Sequence, residues 1–167
     1  VNDCLEGECE VVYSKEETQY CVYQHGKCLY ITKWIKKSYC YVFDYTNNSI
    51  IIYQKDKIIY QGGYTENKGG DKEYKQLIFI PHGHGITFEN NVQRYEGNFN
   101  YGKRSGTGRS FDEQGKLVYD GSWRDDKKDG KGVEYIQDKM VYKGSWKDGK
   151  RDGQGIEYVQ DKMVYNG

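Results

Sequence analysis

A chain of 167 residues holds one or two ordinary domains or a single repeat array, and its 25 basic residues balance 25 acidic ones. Neither part carries the basic excess that nucleic-acid binding needs: residues 1–94 hold 11 bases and 12 acids, and residues 95–167 hold 14 and 13. Aromatics reach 16%, with 18 tyrosines, which excludes a disordered profile. Alanine is absent and proline occurs once, so the composition leans to strands. No apolar run approaches the ~20 residues that a helix needs to span a bilayer. The chain begins at Val1 without a signal-peptide pattern and stops just as Tyr165-Asn166-Gly167 opens another unit. It therefore reads as a processed chain or a piece of a longer one, with the array continuing past its C-terminus.

The first 40 residues hold all five cysteines: Cys4, Cys9, Cys21, Cys28 and Cys40. In an oxidising compartment two disulfides could form and one thiol would remain. In a reducing compartment the same side chains would be small buried apolar groups. The odd number and the lack of a signal favour reduced thiols and a cytoplasmic location. The alternative, with disulfides, is a secreted or periplasmic one. Zinc is a third reading, through Cys21-x3-His25-x2-Cys28 and Cys40. That spacing matches no common structural-zinc pattern, so no metal is assigned.

Residues 1–59 are expected to hold degenerate or capping hairpin units. Tyr23 through Tyr30 and Tyr53 through Tyr60 share a seven-residue step, and Tyr30-Ile31-Thr32-Lys33-Trp34 resembles a unit start with Thr32 in a glycine position. A separate cysteine-bearing module over 1–45 is the alternative. Lys33, Lys36 and Lys37 form the only compact basic group before the repeats. Residues 60–94 read as one repeat with a loop insertion. Tyr60-Gln61-Gly62-Gly63-Tyr64 starts it, Gly83 and Gly85 are its return glycines, and Glu66 through Lys72 is a solvated loop by composition. His82 and His84 look like a metal pair in isolation. Repeat alignment places them with Ser105, Asp129 and Asp152, and with Thr107, Lys131 and Gln154, at solvent-facing positions.

Residues 95–167 carry a regular repeat. Tyr119-Asp120-Gly121-Ser122-Trp123 recurs 23 residues on as Tyr142-Lys143-Gly144-Ser145-Trp146, and Tyr95-Glu96-Gly97-Asn98-Phe99 precedes it by 24. Between them run Gly106-Thr107-Gly108, Gly130-Lys131-Gly132 and Gly153-Gln154-Gly155. In a strand, Tyr142, Gly144 and Trp146 share a face, and Lys143 and Ser145 take the other. Asp148-Gly149 is the strongest hairpin signal. The second copy reads Asp126-Lys127-Lys128, which predicts a looser turn. Each unit is thus a β-hairpin, and a fixed period of this kind means stacked hairpins in one elongated, twisted antiparallel meander or solenoid, an all-β fold. Gly97, Gly106, Gly108, Gly121, Gly130, Gly132, Gly144, Gly153 and Gly155 are assigned structural roles. Gly144 and Gly153 are expected to make room for a ring from the next hairpin.

The pattern Tyr-x-Gly-x-Trp/Phe, then Asn/Asp-Gly-Lys-Arg or a variant, then Gly-x-Gly, resembles the MORN repeat. Three copies over 95–164 match closely. The resemblance implies a scaffold or targeting module, as in cytoskeletal, ciliary and axonemal assemblies. Cys4-Leu5-Glu6-Gly7-Glu8-Cys9 also resembles a short leader found before some MORN arrays, which favours pairing of those two cysteines. Every copy carries the same residues, and no serine elbow, phosphate loop or carboxylate pair is present, so no catalysis and no cofactor are expected. The expected partner is protein, docked on an aromatic face formed by Tyr95, Phe99, Tyr119, Trp123, Tyr142 and Trp146. The alternatives are peripheral binding to phosphoinositide membranes, which the zero net charge disfavours, and an array attached to an enzyme outside this chain.

Overall fold

In the computed structural model, residues 7–14, 17–24, 27–36, 38–66, 79–159 and 162–166 are described. They form fourteen strands. These are β1 (Gly7–Ser14), β2 (Glu17–Gln24), β3 (Lys27–Lys36), β4 (Tyr39–Asp44), β5 (Ser49–Gln54), β6 (Lys57–Glu66) and β7 (Phe79–Glu89). They continue with β8 (Val92–Asn100), β9 (Lys103–Phe111), β10 (Leu117–Arg124), β11 (Lys127–Ile136), β12 (Lys139–Lys147), β13 (Lys150–Val159) and β14 (Lys162–Asn166). Each strand pairs antiparallel with the next, so chain order is also the order across one open sheet. The described residues contain no helix. The all-β meander expected from the period is what forms.

The turns explain why hairpin follows hairpin. Lys55-Asp56, Asn90-Asn91, Tyr101-Gly102, Asp125-Asp126, Gln137-Asp138 and Asp148-Gly149 each carry positive φ at both residues. That is the type I′ geometry, whose twist matches that of the flanking strands. The second repeat is therefore no looser than the third. Asp125-Asp126 occupies the same two turn positions as Asp148-Gly149, with aspartates tolerating a left-handed conformation that most side chains avoid. A backbone bond ties the Tyr101-Gly102, Asp125-Asp126 and Asp148-Gly149 turns to the unit before each. The N–H groups of Gly102, Asp126 and Gly149 donate to the carbonyls of Pro81, Arg104 and Lys128 at 2.8, 3.1 and 2.9 Å.

The insertion expected after Glu66 falls largely on residues 67–78, outside the described residues, as does Cys4 of the Cys4–Cys9 pairing. β1 and β2 place Cys9 opposite Cys21 in backbone register. Cys40 is a free, half-buried thiol whose pKa burial pushes up. The array is covered on one face by its own aromatics. Tyr41, Ile50, Ile52, Tyr60, Phe79, Tyr95, Phe99, Tyr119, Trp123, Tyr142 and Trp146 make one continuous buried cluster.

Candidate functional site

One row of glycines crosses eight strands. Gly62 faces Gly85, which faces Gly97, then Gly108, Gly121, Gly132, Gly144 and Gly155, each directly opposite the next. A row without side chains leaves a bare strip of backbone, and tyrosine fills it. A Cβ built on Gly108, Gly132 or Gly155 would overlap the hydroxyl and ring carbons of Tyr95, Tyr119 or Tyr142 respectively. The tyrosine lies along its own hairpin, across the glycine two residues on and the glycine opposite. Its hydroxyl then donates to the carbonyl three residues on: Tyr95 to Asn98, Tyr119 to Ser122 and Tyr142 to Ser145, each at 3.1 Å. Tyr60 does the same to Gly63, so the unit beginning at residue 60 shares the arrangement.

The two glycines of Gly-x-Gly therefore have separate tasks. The second admits the ring. The first, Gly106, Gly130 or Gly153, sits at φ 84°, 103° or 72° where the return strand bulges. Gly153 does not make room for a neighbour's ring, as its place in the motif suggested. Its nearest neighbour would be Ser145 Cβ at 3.8 Å, and what requires glycine there is the backbone conformation.

The rings form a zipper. Phe99, Tyr95, Trp123, Tyr119, Trp146 and Tyr142 follow one another edge to face, with centroids 5.0, 5.4, 5.2, 5.4 and 5.4 Å apart. Tyr95 and Tyr119 are each gripped by the Phe or Trp of their own unit and by the Trp of the next, and Tyr142 packs on Trp146 of its own unit. Edge-to-face pairs of this kind add about 0.5–1.5 kcal/mol beyond area burial. A cation closes each link from above. The Arg104 guanidinium lies 4.3 Å from the Trp123 ring, and Lys128 Nζ lies 4.3 Å from Trp146 and 4.7 Å from Tyr119. Arg151 lies 4.6 Å from Tyr142. Carboxylates hold the cations in place. Arg104 donates to Asp126 through its backbone N–H and Nε, at 2.9 and 3.0 Å. Lys128 and Arg151 converge on Glu134 at 2.6 and 2.7 Å. Burial alone would raise the Glu134 pKa, but these two cations outweigh it and hold the carboxyl below its usual range.

This geometry corrects the expected docking face. Tyr95, Phe99, Tyr119, Trp123, Tyr142 and Trp146 are at most 6% exposed. They are the core that joins unit to unit, and a partner cannot touch them without displacing the cations and rings that cover them. Among the histidines, His84 is exposed, in line with its repeat position, whereas His82 is half-buried and its ring packs on Tyr101. The described residues contain no cluster of metal-ligating side chains.

Residues 95–111, 119–141 and 142–162 match the family model of the MORN repeat. These three stretches are MORN repeats. The MORN repeat is a non-catalytic interaction repeat, serving protein or membrane contacts. No curated protein matches the chain.

With one face of the MORN array spent on packing, the other is what remains open. It displays the residues one step to either side of the glycines. One row runs Ile86, Glu96, Arg109, Asp120, Val133, Lys143, Ile156 across consecutive strands. The opposite wall includes Thr107 paired with Ser122 and Lys131 paired with Ser145. Neither the cations over the rings nor this open face was singled out from the sequence. The signal for the cations was available, since a basic residue stands five positions after Phe99, Trp123 and Trp146.

Proposed function

We propose that this chain is a non-enzymatic scaffold that docks partner proteins in a larger cytoplasmic assembly, cytoskeletal or ciliary in kind. The observation that carries the reading is the division of labour between the two faces of the MORN array. The aromatic, glycine and cation-lid residues repeat from unit to unit and serve packing. The outward residues differ from unit to unit, as Thr107, Lys131 and Gln154 do at one equivalent position. A constant frame with a variable open face suits recognition of a partner chain along an axis. Zero net charge supports protein over membrane, because anionic surfaces attract clustered lysine and arginine.

Flotation with anionic vesicles across a salt series tests the choice. The docking reading expects the chain to stay with the soluble fraction at every salt concentration. Flotation that is strong at low salt and falls steeply as salt rises would replace it with peripheral membrane binding.

A further inference from the structure

We infer that the open face of the last two repeats is a groove for an extended acidic and aliphatic segment of a partner protein. The inference rests on the docking reading and names the surface and the chemistry. The groove encloses about 490 Å³ and is bounded by Lys131, Val133, Lys143 and Ile156, with Gln154 at one end. Its floor is the backbone of Gly132, Gly144 and Gly155. These three lack side chains because the rings of Tyr119 and Tyr142 need the space on the opposite face.

Its width favours an extended chain. The walls stand one residue to either side of the glycine row, so they are about 7 Å apart along the strands. An α-helix with side chains is about 10–12 Å across and would ride above the floor. A single extended backbone can lie in it.

Its chemistry favours acid and aliphatic side chains together. Val133, Lys143 and Ile156 stand directly opposite one another on three neighbouring strands, which puts a cation between two half-buried aliphatic side chains. Lys131 adds a second cation on the other wall, its ammonium resting on Ser145 Oγ at 2.7 Å. Among the described residues neither Lys131 nor Lys143 has a carboxylate within ion-pair distance. On the strands before it the same face is lined by His84, Glu96, Thr107, Arg109 and Asp120. There Arg109 and Asp120 neutralise each other at 3.1 Å. The change from that self-paired lining to two unmatched lysines beside Val133 and Ile156 distinguishes the last groove. An anionic headgroup would engage the lysines and leave the aliphatic pair unused. A segment whose same-side residues, i and i+2, alternate carboxylate and aliphatic side chains engages both.

The test is fluorescence anisotropy of a labelled ten-residue peptide in which glutamate and leucine alternate at every second position with serine between them, titrated with the 167-residue chain. Saturable binding is expected. Replacing leucine by serine, or glutamate by lysine, in the peptide should abolish it. In the protein, the double change Lys131→Glu and Lys143→Glu should weaken binding by roughly tenfold or more, and Arg109→Glu should leave it within about twofold. Ile156→Ser should weaken it too, with circular dichroism reporting that each variant keeps its strands. No saturable binding, equal binding of the glutamate–serine peptide, or full affinity in the lysine variant would each overturn the assignment. Phosphatidylserine vesicles form the second arm. If they bind and the lysine variant does not float, the groove serves lipid and the docking reading falls with it. If neither peptide nor vesicle binds, this groove is wrong while docking elsewhere on the open face stands.

Discussion

Two stretches of one sheet are held together in opposite ways. From Tyr95 to Trp146 the core is a line: the rings follow one another edge to face, and the same tyrosine, glycine pair and cation return in every unit. From Trp34 to Ile80 the core is a hub. Trp34, Tyr41, Phe43 and Tyr64 gather around Phe79 at centroid distances of 5.8, 5.7, 5.1 and 5.4 Å. Ile50 and Ile52, fully buried, stand on β5, one strand before the glycine row begins at Gly62. A line can be lengthened or shortened by whole units, because each link depends on its neighbours alone. A hub cannot. The contrast shows how a repetitive sheet is given a distinct region without changing its topology.

The strongest way to break that comparison is to remove the hub. Phe79→Ala is expected to cost about 3–5 kcal/mol and Tyr119→Ala a similar amount. Their footprints are expected to differ. Amide exchange should rise together over β3, β4, β6 and β7 for Phe79→Ala. For Tyr119→Ala it should rise mainly over β9 to β12. A footprint for Tyr119→Ala that reaches β4, or one for Phe79→Ala confined to β7, would mean that line and hub are not distinct.

The next test separates the two glycines of one motif. Gly132→Ala places a methyl into the Tyr119 ring and should cost about 2–3 kcal/mol by overpacking. Gly153→Ala meets no such contact and should cost about 1–2 kcal/mol, from its left-handed backbone alone. Chemical denaturation of the two variants measures the difference. Equal costs would show that ring packing and backbone conformation are not divided between the two positions.

How much of this was legible follows from the same residues. The hairpin period, the Gly-x-Gly pairs and the Asp148-Gly149 turn are local signals, and each is readable because a special conformation demands a special residue. Asp125-Asp126 misled, because aspartate can take a conformation for which glycine is the usual sign. The direction of the tyrosines misled too. Alternation puts Tyr142 and Trp146 on one face, but whether that face is wet or dry depends on Tyr119 and Lys128 of the preceding unit and on Arg151, which come from other strands. A stripe of aromatics reads alike as an interface or as a core. The open groove left no local mark at all. Val133, Lys143 and Ile156 are 10 and 13 residues apart in sequence and become neighbours only through register.

A smaller effect sharpens the description of the line through pH. Burial, aided by the carboxylates of Asp120, Asp129 and Glu134, pushes the Tyr119 hydroxyl up to about 12. Tyr60 and Tyr95 are pushed further, burial being the leading cause in both. A donated hydrogen bond to a carbonyl cannot survive ionisation, so the folded array keeps its phenol protons where the unfolded chain releases them. The raised values mean that stability is fully present below pH 10, the ordinary tyrosine value, and declines as pH rises toward 12 and beyond. The loss from Tyr119 is expected to be on the order of 2 kcal/mol across that range. Tyr119→Phe should flatten the alkaline limb of a denaturation profile. An unchanged limb would place the titrating groups outside the zipper.

The smallest expected difference lies within the line itself, between two residues that the repeat treats as equals. The Trp123 indole N–H donates to the Gly108 carbonyl at 3.0 Å in a buried setting. The corresponding N–H of Trp146 is buried with no hydrogen-bond partner. Replacing either tryptophan by phenylalanine removes the donor and some ring volume. At Trp123 the change also leaves the Gly108 carbonyl without that bond, whereas at Trp146 it removes a polar group that burial already penalises. Trp123→Phe is therefore expected to be more destabilising than Trp146→Phe by about 1 kcal/mol, with the shared loss of volume cancelling in the difference. Thermal melts of the two single variants, with the double variant to check that neighbouring links do not couple, measure it. If Trp146→Phe proves equal or worse, the Trp146 N–H has found an acceptor in solution, and the two links of the zipper are alike in chemistry as well as in shape.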